Sequence, residues 1–256
     1  MSLAAERIAH LAERLRLPDL PALLPAVAEE AAAKEYSFAE FTEELLGACA
    51  AAADARATET IVRLAGFPAR KTLETFDFAF QPSINRKQVT ELGSCAFVER
   101  AENVVLLGPP GVGKSHIAIA LGLEAAKRRY AVKFVTAAKL TASLAEARSA
   151  GTFTRRLAAL TYPRLLIIDE VGFLPLGPEQ AALLFEVVSR RYERGSIVLT
   201  SNKSYGEWAE VFSGDAVIAT AILDRLLHHS ITITIKGESY RLKERKKAGI
   251  VTTATG

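Results

Sequence analysis

Gly108-Pro109-Pro110-Gly111-Val112-Gly113-Lys114-Ser115 fills every fixed position of the phosphate-binding pattern G-x-x-x-x-G-K-[ST]. The chemistry explains the residue types. Backbone N–H groups wrap a β-phosphate only where glycines leave the chain unhindered, and a following helix N-terminus favours the anion. Lys114 then reaches the β and γ oxygens, Ser115 offers a hydroxyl to Mg²⁺, and His116 opens the helix beside them. A second constellation is Leu165-Leu166-Ile167-Ile168-Asp169-Glu170, where a buried strand delivers Asp169 at its C-terminal edge. Asp169 is placed to hold Mg²⁺ with Ser115. Glu170 follows and can polarise an attacking water, which suits hydrolysis of a nucleoside triphosphate better than transfer to a metabolite. Third comes Thr200-Ser201-Asn202, where Asn202 can orient that water or simply end a strand.

These residues need a scaffold, and the chain supplies one. After Asn103, apolar runs alternate with helical stretches: strands at 104–107, 131–136, 165–168, 196–201 and 231–235, with helices at 114–129, 138–150 and 178–193. Continuous apolar strands separated by helices predict an α/β domain with a parallel sheet covered on both faces. The front of the chain differs. Residues 2–17 and 27–57 have helical periodicity, Pro18, Pro21 and Pro25 punctuate the path between them, and Ser37 with Glu40 reads as a capping box. Gly66-Phe67-Pro68 predicts a boundary, giving a small all-α unit over 1–66 and an ATPase unit over 67–256. Residues 72–82, with Phe76, Phe78 and Phe80 alternating, read as extended.

Composition excludes several classes. Two cysteines, Cys49 and Cys95, cannot build a disulfide scaffold, and no C-x-x-C pair suggests structural zinc. The first residues lack a continuous apolar core, and no window approaches the roughly 18 apolar residues that span a bilayer. A reducing, cytoplasmic setting is expected. Residues 1–55 hold four Lys/Arg and ten Asp/Glu, a balance of −6, so the remainder of a chain of net charge +3 carries +9. That asymmetry suits a polyanion-binding body behind an acidic interaction segment, or simply an acidic solvated helical face. His228-His229 lacks the i, i+4 spacing of a helical zinc site.

Together these stretches resemble the AAA+ ATPases, and more narrowly the IstB-like transposition helper proteins related to the DnaC helicase loaders. The resemblance is carried by Lys71–Phe78, Asn103–Ser115, Leu165–Leu176, Thr200–Asn202 and Ile222–His229. It implies an AAA+ P-loop fold; a separate helical lid domain, usual in many AAA+ proteins, is expected to be absent or vestigial, since the sequence runs only to Gly256. It implies ATP and Mg²⁺ as cofactors, and homo-oligomers that share sites between subunits. Arg225, in Asp224-Arg225-Leu226-Leu227, aligns with the arginine finger that enters a neighbour's site. Arg241, in Gly237-Glu238-Ser239-Tyr240-Arg241, resembles a second sensor contacting phosphate in cis. It also implies DNA, bound without sequence preference, and a cognate transposase as partners. Lys139, Arg148, Arg155 and Arg156 are the candidate DNA contacts, although basic helix faces are commonly just solvated. The alternatives are a DnaC-like replicative helicase loader and a P-loop kinase of small metabolites.

Overall fold

The computed structural model describes residues 3–240, 242 and 243, and the chain divides into two compact units at Thr60/Ile61. The first unit is helical: α1 (Leu3–Arg14), α2 (Leu20–Ala33) and the greater part of α3 (Phe38–Ala65). The capping box forms as expected, with Ser37 N–H donating to Glu40 Oε2 at 2.7 Å and Glu40 N–H to Ser37 Oγ at 3.3 Å. The prolines behave differently from the expectation. Pro21 lies in the first turn of α2 and Pro25 inside the helix. Pro21 costs nothing there, because the first N–H groups of a helix lack intrahelical partners anyway, so only Pro25 removes a ladder bond. α3 continues past the division and ends at Ala65, with Gly66 in the left-handed region at φ +78° as its stop.

The second unit opens with α4 (Arg86–Leu92) and α5 (Ala96–Glu99). It then alternates β1 (Asn103–Leu107), α6 (Lys114–Lys127), β2 (Val132–Thr136), α7 (Ala137–Ser149), α8 (Phe153–Thr161), β3 (Leu165–Val171), α9 (Pro178–Arg191) and β4 (Ser196–Ser201). The short α10 (Trp208–Val211), then α11 (Ala216–Leu227) and β5 (Ser230–Thr234), follow. All pairings are parallel, in the order β2-β3-β4-β1-β5. Side chains alternate between two cores. Val104, Leu106, Ile167 and Val198 pack with Ile117 and Leu121 of α6 on one face. Val105, Leu107, Leu166, Ile168 and Leu199 pack with Leu140 and Leu144 of α7, Leu184 of α9 and Ile222 of α11 on the other. Burial on both faces is why these strands read as unbroken apolar runs.

Polar clamps tie the sheet together where its strands begin. The buried Asn103 donates from Nδ2 to Leu226 O at 3.0 Å and accepts Ile197 N–H at 2.8 Å, joining β1, β4 and α11. Arg191, also buried, donates to the carbonyls of Leu160, Thr161, Pro163, Arg164 and Ser196. Five carbonyls from two stretches of chain, 160–164 and Ser196, thus share one guanidinium.

Residues 72–82 are not extended. They form successive turns, with Thr75 Oγ1 donating to Thr72 O at 3.1 Å and Phe80 N–H to Asp77 Oδ1 at 3.0 Å. Side chains that bond their own backbone offer it an alternative to a strand ladder, and that outweighs the alternation of phenylalanines.

Candidate nucleotide site

Strand β1 ends at Leu107 and the chain turns through Gly108–Gly113 into α6, so the loop lies where the sheet's C-terminal edge meets a helix N-terminus. Gly113 caps α6 at φ +101°, and a Cβ there would lie 2.6 Å from Phe76 Cε2. Gly111 has φ +85°, and its Cβ would lie 2.1 Å from Ser239 Oγ. Neither position tolerates a side chain. Val112 is fully buried in the core, whereas Pro109 and Pro110 face outward. Lys114 is buried and folds back over the loop, its Nζ donating to Gly108 O at 2.6 Å and Pro109 O at 2.8 Å.

The acidic partner comes from the next strand but one. Asp169 is buried at the end of β3, where its Oδ1 accepts from Ser115 Oγ at 2.8 Å and Thr200 Oγ1 at 2.5 Å. Glu170 is exposed and sits at φ +62° within a register irregularity between Ile168 and Val171. Asn202 follows β4, whose Ser201 carbonyl accepts Gly108 N–H at 3.1 Å. Asn202 Oδ1 is buried and accepts no hydrogen bond. The structure therefore brings Gly108–Ser115, Asp169, Glu170 and Asn202 to one edge of the sheet.

Two segments flank the loop. On one side His116 Nε2 lies 2.8 Å from Thr72 O, which requires that nitrogen to carry the proton, and its ring meets Phe76 edge to face at 5.1 Å. Burial is the main cause holding the His116 pKa below the ordinary imidazole value. On the other side the residues after β5 return to the loop, with Tyr240 N–H donating to Gly111 O at 3.0 Å. This return is pinned by Gln81 Nε2 donating to Glu238 O at 2.9 Å and Ser83 Oγ to Lys236 O at 2.6 Å. Gln81 and Ser83 escaped the sequence reading, since nothing in single polar residues within turns signals a partner more than 150 positions away. Arg241 and residues 244–256, where a lid would have to be sought, lie outside the described residues.

Ser115 and Asp169 offer hard oxygen donors 2.8 Å apart at the mouth of an anion-wrapping loop, a set that fits Mg²⁺ accompanying a triphosphate. Arg225 is elsewhere. It lies near the end of α11, its Nη1 donating to its own helix at Ala221 O and its guanidinium stacked 4.7 Å over the ring of Phe185. Among the DNA candidates, Lys139 and Arg155 are exposed on α7 and α8. Arg148 is stacked 4.8 Å over Phe153, and Arg156 Nε donates to Ser143 Oγ at 3.1 Å. Glu193 approaches His228 and His229 at 3.9 and 3.7 Å, a carboxylate that adjacency in sequence did not reveal. All three are exposed, and His228 Nδ1 already meets the Tyr192 hydroxyl at 2.7 Å, so the group is accounted for as a surface polar network.

Residues 10–248 match the family described as IstB-like ATP binding protein. The chain belongs to that family. The IstB-like chain is 50% identical, over 96% of its length and 92% of the relative's, to a Pseudomonas aeruginosa protein named for ATP binding in insertion sequence IS21. It is 47% identical, over 94% and 96%, to the corresponding protein of insertion sequence IS5376 from Geobacillus stearothermophilus. Among solved structures, the DnaC helicase loader superposes with a TM-score of 0.57 at 22% identity, covering 64% of this chain and 96% of that one. AMPPCP-bound DnaA from Aquifex aeolicus gives 0.55 at 22%, covering 73% and 58%. At that identity the likeness establishes the AAA+ P-loop fold and no more. No described helix is long and apolar enough to cross a membrane.

Proposed function

We propose that this IstB-like protein is a Mg²⁺-dependent ATPase that assembles on DNA and serves the transposase of an insertion sequence. The observation that carries the reading is the convergence of the loop lysine, the Ser115–Asp169 pair, Glu170 and Asn202 on one sheet edge. Lys114 and the N–H groups of the loop bind the phosphates. A Mg²⁺ ion held by Ser115 and Asp169 would neutralise charge on the β and γ oxygens. Glu170, exposed at the mouth, accepts a proton from the attacking water, and Asn202 Oδ1 lies ready to orient that water. Arg241 is retained as a cis phosphate contact in this reading.

Arg225 belongs to a different protomer's reaction in this scheme. A guanidinium remote from its own loop contributes only where a second copy presents its nucleotide edge, so turnover depends on assembly. Lys139, Arg148, Arg155 and Arg156 supply phosphate contacts without base readout. Relatives named for insertion sequences favour a transposase over a replicative helicase as partner. In the helical unit Leu3, Leu11, Leu15 and Phe38 are exposed apolar residues suited to a protein contact.

The test is sedimentation of the full chain with duplex DNA of unrelated sequences, with and without Mg-ATP, beside Lys114→Ala. Nucleotide-dependent assembly on every DNA, abolished in the variant, is expected. Equal assembly without nucleotide would overturn the scheme.

A further inference from the structure

Thr200 links the two acidic residues of the site, touching the side chain of Asp169 and the backbone of Glu170. It lies on β4 and is almost wholly buried. Its hydroxyl donates to Asp169 Oδ1 at 2.5 Å and accepts the Glu170 N–H at 3.0 Å. The sheet explains why one hydroxyl serves two residues. Ile168 pairs with Leu199 and Val171 with Ser201, so Asp169 and Glu170 on β3 together face the single residue Thr200 on β4. That is a bulge, and a bulge turns one N–H out of the regular ladder. Here Thr200 Oγ1 accepts it.

The bulge also sets Glu170 at φ +62°, a conformation that costs a residue with a Cβ on the order of 1 kcal/mol and persists only when its surroundings hold it. On a regular strand Asp169 and Glu170 would point to opposite faces of the sheet. The bulge instead leaves Asp169 buried against Ser115 while Glu170 emerges at the open edge.

We infer that Thr200 is the positioning residue of this site: its hydroxyl fixes the Asp169 carboxylate toward Ser115 and locks the bulge that aims Glu170. The inference rests on the proposed roles of Asp169 and Glu170. Asn202, two residues further on, acts on the water; Thr200, buried in the sheet, works through the two acids. Valine matches threonine in shape but strands the Glu170 N–H and removes a donor from Asp169. Serine keeps the hydroxyl and loses only a methyl.

Full-length Thr200→Val and Thr200→Ser are compared with wild type by calorimetric ATP affinity without and with Mg²⁺, by turnover against Mg²⁺ concentration on DNA, and by melting of the nucleotide-free protein. Thr200→Val is expected to keep its Mg²⁺-free affinity, lose most of the gain in affinity that Mg²⁺ confers, and turn over about 10- to 100-fold more slowly with a raised Mg²⁺ requirement. Thr200→Ser is expected to stay within about threefold of wild type on each count. If Thr200→Val melts too low to assay, Thr200→Ala against Thr200→Ser, at a temperature where both are folded, gives the same comparison. A valine variant with wild-type turnover and Mg²⁺ response, or a serine variant as impaired as valine, overturns the inference while leaving the ATPase reading intact. Wild-type protein that does not hydrolyse ATP on DNA overturns that reading, and the role of Thr200 with it.

Discussion

Lys114 and Arg225 stand at opposite ends of one parallel sheet. Lys114 follows the C-terminal end of β1, and Arg225 precedes the N-terminal end of β5, which runs beside β1 in the same direction. Five residues of strand separate those ends by about 16 Å. Arg225 therefore lies far from the loop of its own chain, and Phe185 together with Ala221 O holds it at the surface.

A mixing experiment follows from that separation. Arg225→Ala and Lys114→Ala are each expected to lose turnover by about 10³-fold or more. Combined, they should regain a measurable fraction of wild-type activity, because an intact loop from one variant can meet an intact arginine from the other. ATPase rate against mixing ratio checks this; no recovery at any ratio would argue for action within one chain.

Lys139 and Arg155 are exposed on the neighbouring helices α7 and α8. Replacing both by alanine should weaken binding to all DNA sequences alike and lower the slope of log K against log salt by roughly 2, one for each phosphate contact. A salt titration by fluorescence anisotropy measures the slope. An unchanged slope places the DNA elsewhere.

His116 makes stability depend on pH in a definite direction. Burial depresses its folded pKa below 6.5, so between that value and the lower one the unfolded chain binds more protons. Stability is expected to fall as pH drops through that window and to be insensitive to this group above it. Melting temperatures from about pH 7.5 to about pH 5.5 should show the loss, and His116→Gln should flatten it.

Arg191 carries the opposite end of the sheet. Burial, helped by the nearby Arg164, pushes its pKa down to about 10, yet five carbonyls depend on it. Arg191→Met fills similar volume but leaves those carbonyls without their donor, and should destabilise the protein by about 3–5 kcal/mol. Denaturant unfolding measures the change. Gly195→Ala should also destabilise, since its Cβ would lie 2.8 Å from Arg191 Nη2.

Much of the site is legible in the linear sequence because its chemistry is local. A loop that wraps phosphate needs glycine, lysine and serine at set spacing within eight residues, and the strand before it and helix after it announce themselves by hydrophobic period. Asp169-Glu170 and Asn202 are readable for the same reason, each standing at the end of a buried strand. Residues 72–82 turn despite three alternating phenylalanines, because Thr and Asp side chains bond the backbone there.

By itself, then, the sequence determined the family, the parallel α/β architecture and the residue types of the candidate nucleotide site. Only the tertiary structure decided that Thr200 joins Asp169 to Glu170, that Gln81 and Ser83 pin the return of the chain over the loop, and that Arg225 lies far from its own Lys114. The physical reason is the reach of the forces: backbone propensity and side-chain period act over a few residues, whereas strand order and register bring together groups whose separation along the chain carries no signal.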